Sequence, residues 1–86
     1  MKIVFIIDAW NEYVEIQETN KQMLKKINRL IQSISRNGTE CEGKPKPLVN
    51  YEDAWSVRID KKNRIVFRIE DDNLIILECG SHYQDK

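Results

Sequence analysis

Cysteine, histidine, glycine and proline are all scarce in this chain, and each scarcity removes a class of protein. Two cysteines, Cys41 and Cys79, cannot build a disulfide framework and lack the C-x-x-C spacing of a redox or metal motif. With one histidine, a closed zinc site of four protein ligands would have to recruit carboxylates, so neither metal nor other cofactor is expected. Three glycines and two prolines leave little room for long flexible linkers. Net charge is missing too. Fourteen basic side chains balance 14 acidic ones, which argues against nucleic-acid binding by bulk charge alone. No apolar run approaches the ~18 residues of a membrane span. The N-terminal MKIVFII has neither the apolar length nor the small-residue cleavage site of a signal peptide, and reads as a strand. Two free thiols suit a reducing cytoplasm, so a cytoplasmic protein without a membrane partner is expected.

What is present fits one small globular domain over residues 1–86, with 41% hydrophobic and 33% charged side chains. The charge is unevenly spread. Residues 1–19 carry one lysine and four acids, residues 20–36 five basic side chains and no acid, and residues 44–68 seven basic side chains against three acids. Ordinary solvated helix and strand surfaces produce such imbalances. The sharper reading is a site for an anionic ligand in the second half.

Lys2 to Ile7 is a continuous β-branched and aromatic run, the pattern of a strand buried on both faces. Asp8 then offers an N-cap, and Ala9, Tyr13 and Ile16 recur at helical spacing, with Trp10 and Val14 beside them. Thr19-Asn20 interrupts the pattern, and either residue suits the cap of a second helix. That helix, about Lys21 to Arg36, has Met23, Leu24, Ile27, Leu30, Ile31 and Ile34 in one apolar stripe, with Lys21, Lys25, Lys26 and Arg29 largely outside it. Asn37-Gly38 is a helix stop. The two helices form a hairpin with almost no loop. Residues 38–53 read as irregular. Pro45 and Pro47 fix an extended piece from which Lys44 and Lys46 project, either a plain connector or part of a site.

From Ala54 onward the period is two. Trp55, Val57 and Ile59 share one face, and Ser56, Arg58 and Asp60 the other; Ile65, Phe67 and Ile69 alternate with Arg64, Val66 and Arg68. Asp60 to Asn63 and Asp71-Asp72-Asn73 are turns, and Leu74 to Cys79 is a third strand whose phase leaves Glu78 unplaced. Pairing the first two strands brings Arg58 and Arg64 to the same face, opposite the helices. The order β-α-α-β-β-β gives an α+β domain with a helical hairpin packed on a twisted antiparallel sheet. The two arginines suit phosphate or carboxylate, because a guanidinium presents planar, multidentate donors that stay charged. Pairing with Asp60 or Glu70 is the plainer alternative. His82 has the chemistry of a general acid or base near neutral pH, and Tyr83 can stack on a base.

Several segments together resemble a known family. QETNKQMLKKINRLI at 17–31, EGKPKPL at 42–48, W-S-x-R-I at Trp55–Ile59, Arg64-Ile65-Val66-Phe67, DDNLIILEC at 71–79 and His82-Tyr83 are similar to the YoeB/Txe-type toxins of the RelE/ParE superfamily, the toxin half of type II toxin–antitoxin pairs. The resemblance runs from Met1 to Tyr83. It implies the same fold and a ribosome-dependent mRNA endoribonuclease, an mRNA interferase working in the ribosomal A site against 16S rRNA. In that reaction the ribose 2′-OH attacks the adjacent phosphate, leaving a 2′,3′-cyclic phosphate and a free 5′-OH. By position, Arg64 matches the transition-state arginine, His82 the general acid, Tyr83 the tyrosine that positions RNA, and Arg58 a phosphate contact. The implied partners are mRNA, the ribosome, a YefM/Phd-type antitoxin and, in many members, a second copy.

Two departures stand out. The family pattern has a glutamate as general base where this chain has Lys46, and a lysine is a poor base unless burial or cationic neighbours change it. Lys44, Arg58 and Arg64 are such neighbours, so Lys46 is a candidate base or electrostatic stabiliser, with Glu42 an alternative carboxylate. The chain also continues past the His-Tyr pair with Gln84-Asp85-Lys86. An alternative is therefore a catalytically weakened toxin-fold protein that mainly binds its antitoxin and helps repress its operon. An inhibitor of ParE type with another target is disfavoured by His82-Tyr83 and W-S-x-R-I.

Overall fold

The hydrophobic alternation of the C-terminal half builds the sheet, and the helical stripe of the N-terminal half covers one face of it. The computed structural model describes residues 1–49 and 52–82, with the backbone alone at Ser81 and His82. Strand β1 (Lys2–Phe5) leads into α1 (Ile7–Thr19) and α2 (Lys21–Asn37), followed by a single 3-10 turn, β2 (Lys46–Pro47), β3 (Ala54–Arg58), β4 (Asn63–Glu70) and β5 (Asn73–His82). The sheet order is β1-β5-β4-β3-β2.

The expected α+β architecture is present, with two refinements. The sheet is mixed rather than wholly antiparallel, because β1 lies parallel to β5, Ile3 opposite Leu74 and Phe5 opposite Ile76. It also has a fifth strand: the Pro-flanked segment read as irregular pairs with β3, Lys46 opposite Ser56 and Pro47 opposite Trp55. Proline is tolerated there because β2 is an edge strand with no donor needed on its outer side. Nor is β1 buried on both faces. It ends at Phe5, forms the other edge, and leaves Ile3 and Val4 exposed.

Helix α1 begins two residues earlier than the sequence suggests. Ile6 occupies the N-cap without a side-chain bond, and Asp8 sits inside the first turn, where its negative charge suits the helix dipole. Asn20 ends α1 and caps α2, its side chain accepting from the Met23 N–H at 3.1 Å. On α2, Ile27, Leu30, Ile31 and Ile34 are buried and Met23 packs against the same core, as the stripe predicts. They meet Val57, Ile59, Ile65, Phe67, Leu74, Ile76 and Cys79 from the inner face of the sheet. Phe5, Trp10 and Tyr13 form a ring cluster at the β1 edge, with centroids 5.2–5.8 Å apart.

Gly43 is the tightest point of the chain between α2 and β2. Its φ is +92°, and a Cβ there would lie 2.5 Å from Cγ2 of Val57, a fully buried strand residue. Gly43→Ala is therefore expected to cost about 2 kcal/mol or more, from left-handed strain plus displacement of the strand. Urea titration measures it; an unchanged midpoint would show that the segment simply moves away.

Burial pushes the Cys79 thiol up from 9.0 to about 12, assisted by the charge of Glu12. Because the folded value is raised, this group's contribution to stability is complete below about pH 9 and is lost as pH rises toward 12. Unfolding free energy should fall over that interval by up to about 1.4 kcal/mol per pH unit, and Cys79→Ala should flatten the slope by that amount. Equal slopes for the two proteins would contradict this.

Candidate functional site

Strand pairing assembles the polar face. Arg58 on β3 lies directly opposite Arg64 on β4, so the two guanidinium stems leave the same side of the sheet, away from the helices. Two rungs along, at the next pair on the same face, Lys46, Ser56, Val66 and Glu78 form a continuous row across β2, β3, β4 and β5. Val66 is fully buried although it belongs to this outer face. The longer side chains around it therefore lie over it, giving the site an apolar floor beneath charged tips.

Gly43, Lys44, Lys46, Ser56 and Arg58 line an open cleft of about 280 Å³. Three of the cations singled out from sequence thus meet in one concavity, and Arg64 lies opposite one of them, Arg58, on the neighbouring strand. Lys44 is held at φ +53°, a left-handed conformation that is uncommon for a side chain with a Cβ. Pro45 keeps it out of the right-handed helical region, but not by making it extended. Like charges placed directly opposite on neighbouring strands repel, so a bound anion between the arginines would stabilise the arrangement. Among the described residues no group of three His, Cys, Asp or Glu side chains gathers to hold a metal ion. The cleft's donors are cations, which suit phosphate.

The acids expected as plain partners are engaged elsewhere. Asp60 closes the β3–β4 turn on itself, Oδ1 accepting from the backbone N–H groups of Lys62 at 2.9 Å and Asn63 at 2.8 Å. Slight desolvation raises its pKa, but these bonds, the Asn63 amide and nearby Lys26 outweigh that and hold the carboxyl below its ordinary 3.8. Glu70 lies 3.6 Å from Arg68. Glu42 is 2.8 Å from Arg29 of α2, and its backbone N–H donates to Ser33 Oγ, which ties it to the helix.

Arg64 instead meets Glu78. Its Nη2 is 3.6 Å from Glu78 Oε1, and the two side chains are only 19% and 23% exposed. Sequence phase alone left Glu78 unplaced, and the reason lies in β5. Ile76 pairs with Phe67 and Glu78 with Val66, so Leu77 is an extra residue; Cys79 pairs with Ile65 and Ser81 with Arg64, so Gly80 is another. These two bulges reset the alternation twice. The first turns Glu78 out of the core and onto the arginine face while sending Cys79 inward.

Glu12 is a further residue that sequence reasoning passed over. Its Oε1 accepts from the Cys79 backbone N–H at 2.8 Å, a donor between the two bulges. The signal was available. Glu12 stands three residues after Ala9 and four before Ile16, so a carboxylate occupied the apolar stripe of α1.

The remaining site residues follow along β5. Ser81 lies opposite Arg64 and His82 opposite Asn63, so the backbone of His82 is one residue from the arginine pair. Tyr83, and with it the assigned RNA-positioning role, lies outside the described residues. No helix among the described residues is long and apolar enough to cross a membrane.

Comparison with known proteins places this arrangement. A family model described as the YoeB-like toxin of bacterial type II toxin-antitoxin systems matches residues 5–83. The protein named Toxin YoeB from Escherichia coli strain K12 is 42% identical over 84 residues, covering 96% of this chain and 100% of that one. Among solved structures, a YoeB dimer from Staphylococcus aureus superposes with a TM-score of 0.88 at 39% identity, over 96% of this chain and 98% of that one. A YoeB-YefM complex from the same organism gives a TM-score of 0.86 at 40% identity, with the same coverage.

Proposed function

Since this chain belongs to the YoeB-like toxins of bacterial type II toxin-antitoxin systems, within the RelE/ParE superfamily, we propose that it is a ribosome-dependent endoribonuclease that cuts mRNA in the A site. The observation that carries this reading is the cationic cleft of Lys44, Lys46 and Arg58 beside Arg64. Cleavage by the neighbouring 2′-OH builds negative charge on a five-coordinate phosphorus, and preorganised cations lower that barrier more than any other single group. Arg64 holds the phosphoryl oxygens through its fork of N–H donors, and Arg58 and Lys44 bind the flanking phosphates. Lys46, exposed on its edge strand, adds charge stabilisation. His82 donates a proton to the departing 5′ oxygen, and Tyr83 stacks on a base to orient the strand. The close placement of the His82 backbone and Arg64 supports this division of roles.

The domain carries no net charge, so its grip on free RNA is weak. The ribosome, through 16S rRNA around the A site, holds the mRNA for it. The same cleft suits an acidic segment of an antitoxin of the YefM type, the partner bound in the S. aureus complex, and the S. aureus dimer supports a homodimer as a second assembly. Lys46 favours a second reading, a weakened toxin whose work is antitoxin binding and operon repression.

Expression of the chain without antitoxin, followed by mapping of 5′ ends on a translated mRNA, separates the two. Cuts confined to codons in the A site, and lost from an untranslated copy of the message, are the expected result. Growth arrest with intact mRNA would overturn the nuclease reading.

A further inference from the structure

From the polar face we infer that Glu78 is the proton acceptor for the attacking 2′-OH, an inference that rests on the nuclease reading above. Among the described residues the face that meets the RNA holds Lys44, Lys46, Arg58 and Arg64, and Glu78 is the carboxylate in contact with Arg64. A base is needed to take the 2′ proton, and positively charged lysine and arginine cannot accept it. Glu42 pairs with Arg29 of α2, Asp60 bonds within the β3–β4 turn and Glu70 pairs with Arg68, whereas Glu78 pairs with Arg64, the arginine assigned to the reacting phosphate.

The backbone makes a specific effort to present this carboxylate. In a regular strand Leu74, Ile76 and residue 78 would share the core face, and the extra residue Leu77 reverses that. Glu12 then holds the strand one residue further on, at the Cys79 N–H. A guanidinium has five N–H donors, enough for one arginine to hold Glu78 on one edge and a phosphate on another. A carboxylate clasped by the phosphate-binding arginine stands at the flank of that phosphate, where the adjoining ribose presents its 2′-OH. In the step itself, a Glu78 oxygen accepts the 2′-OH proton while O2′ bonds to phosphorus. The bond from phosphorus to the 5′ oxygen breaks, and that oxygen takes the His82 proton. The products are the 2′,3′-cyclic phosphate and a 5′-OH.

The test is single-turnover cleavage of A-site mRNA on programmed ribosomes, with the full-length chain, over a range of pH. Glu78→Gln keeps the side chain's shape and should slow cleavage by about 100-fold or more while removing the acid limb of the rate profile. Glu78→Asp should retain that limb at a reduced rate, and Lys46→Gln should be slower than the parent with the limb intact. A Glu78→Gln variant within about threefold of the parent would overturn the inference, as would one that is slow but keeps the parent's acid limb, which is the mark of a residue that only positions Arg64. A parent chain that does not cut at all would remove the nuclease reading itself, and this inference with it.

Discussion

Arg64→Ala is expected to abolish detectable mRNA cleavage, with a loss of roughly 1,000-fold or more in single-turnover rate on programmed ribosomes. Three observations combine in that expectation. Arg64 faces Arg58 across the β3–β4 ladder, Arg58 lines the cleft with Lys44 and Lys46, and Arg64 lies within one residue of the His82 backbone. At 19% side-chain exposure its guanidinium is better shielded from water than the surface lysines, and electrostatic stabilisation of a developing phosphorane charge strengthens as water is excluded. Removing it also leaves Glu78 without this cation. Arg64→Lys discriminates charge from geometry. A lysine keeps one positive charge but cannot offer parallel donors to a carboxylate and a phosphate together, so most of the loss should persist. If Arg64→Ala cleaves within tenfold of the parent while the parent cuts at A-site codons, Arg64 is not the transition-state arginine.

The largest stability effect is expected at Phe67. This side chain is fully buried, pairs with Trp55 on one side and Ile76 on the other, and belongs to the cluster that joins sheet and helices. Phe67→Ala removes most of an aromatic ring and leaves a cavity, a change that costs about 3–5 kcal/mol. An 86-residue domain has a total stability of roughly 4–13 kcal/mol, so the variant should be largely unfolded at 37 °C or melt many degrees lower. Urea unfolding followed by circular dichroism measures it. A shift corresponding to less than about 1 kcal/mol would mean that neighbouring side chains collapse into the space. Phe67→Leu, which conserves most of the volume, should lose markedly less.

The two expectations concern opposite faces of one strand. On β4, residues 65, 67 and 69 face the helices while residues 64, 66 and 68 face the site. Alternation made that division legible before any pairing was known, because a strand's period of two is local. The stripe of α2 was legible for the same reason, and Ile27, Leu30, Ile31 and Ile34 are buried where the 3.6-residue period puts them. The pairing of Arg58 with Arg64 followed from a short turn, Asp60 to Asn63, that leaves little freedom of register.

Other features were not available locally. That Lys2–Phe5 is an exposed edge strand parallel to β5 depends on a partner some seventy residues away, and a β-branched run reads the same at an edge as in a sheet centre. That Lys46–Pro47 is a strand depends on Ser56 and Trp55 offering it an edge, which a Lys-Pro pair following Pro45 cannot announce.

By itself, then, the sequence determined the α+β class, the helical hairpin, the inner and outer faces of β3 and β4, and a set of cations typical of the YoeB-like toxins. The tertiary structure decided where the carboxylates go. Glu42 is drawn to α2, Asp60 into its turn, and Glu78 onto the arginine face by a bulge at Leu77. The physical reason is that a bulge is a property of two strands. It exists only where the register of β5 against β4 requires an extra residue, and that register is set by core packing and by Glu12 reaching across from α1.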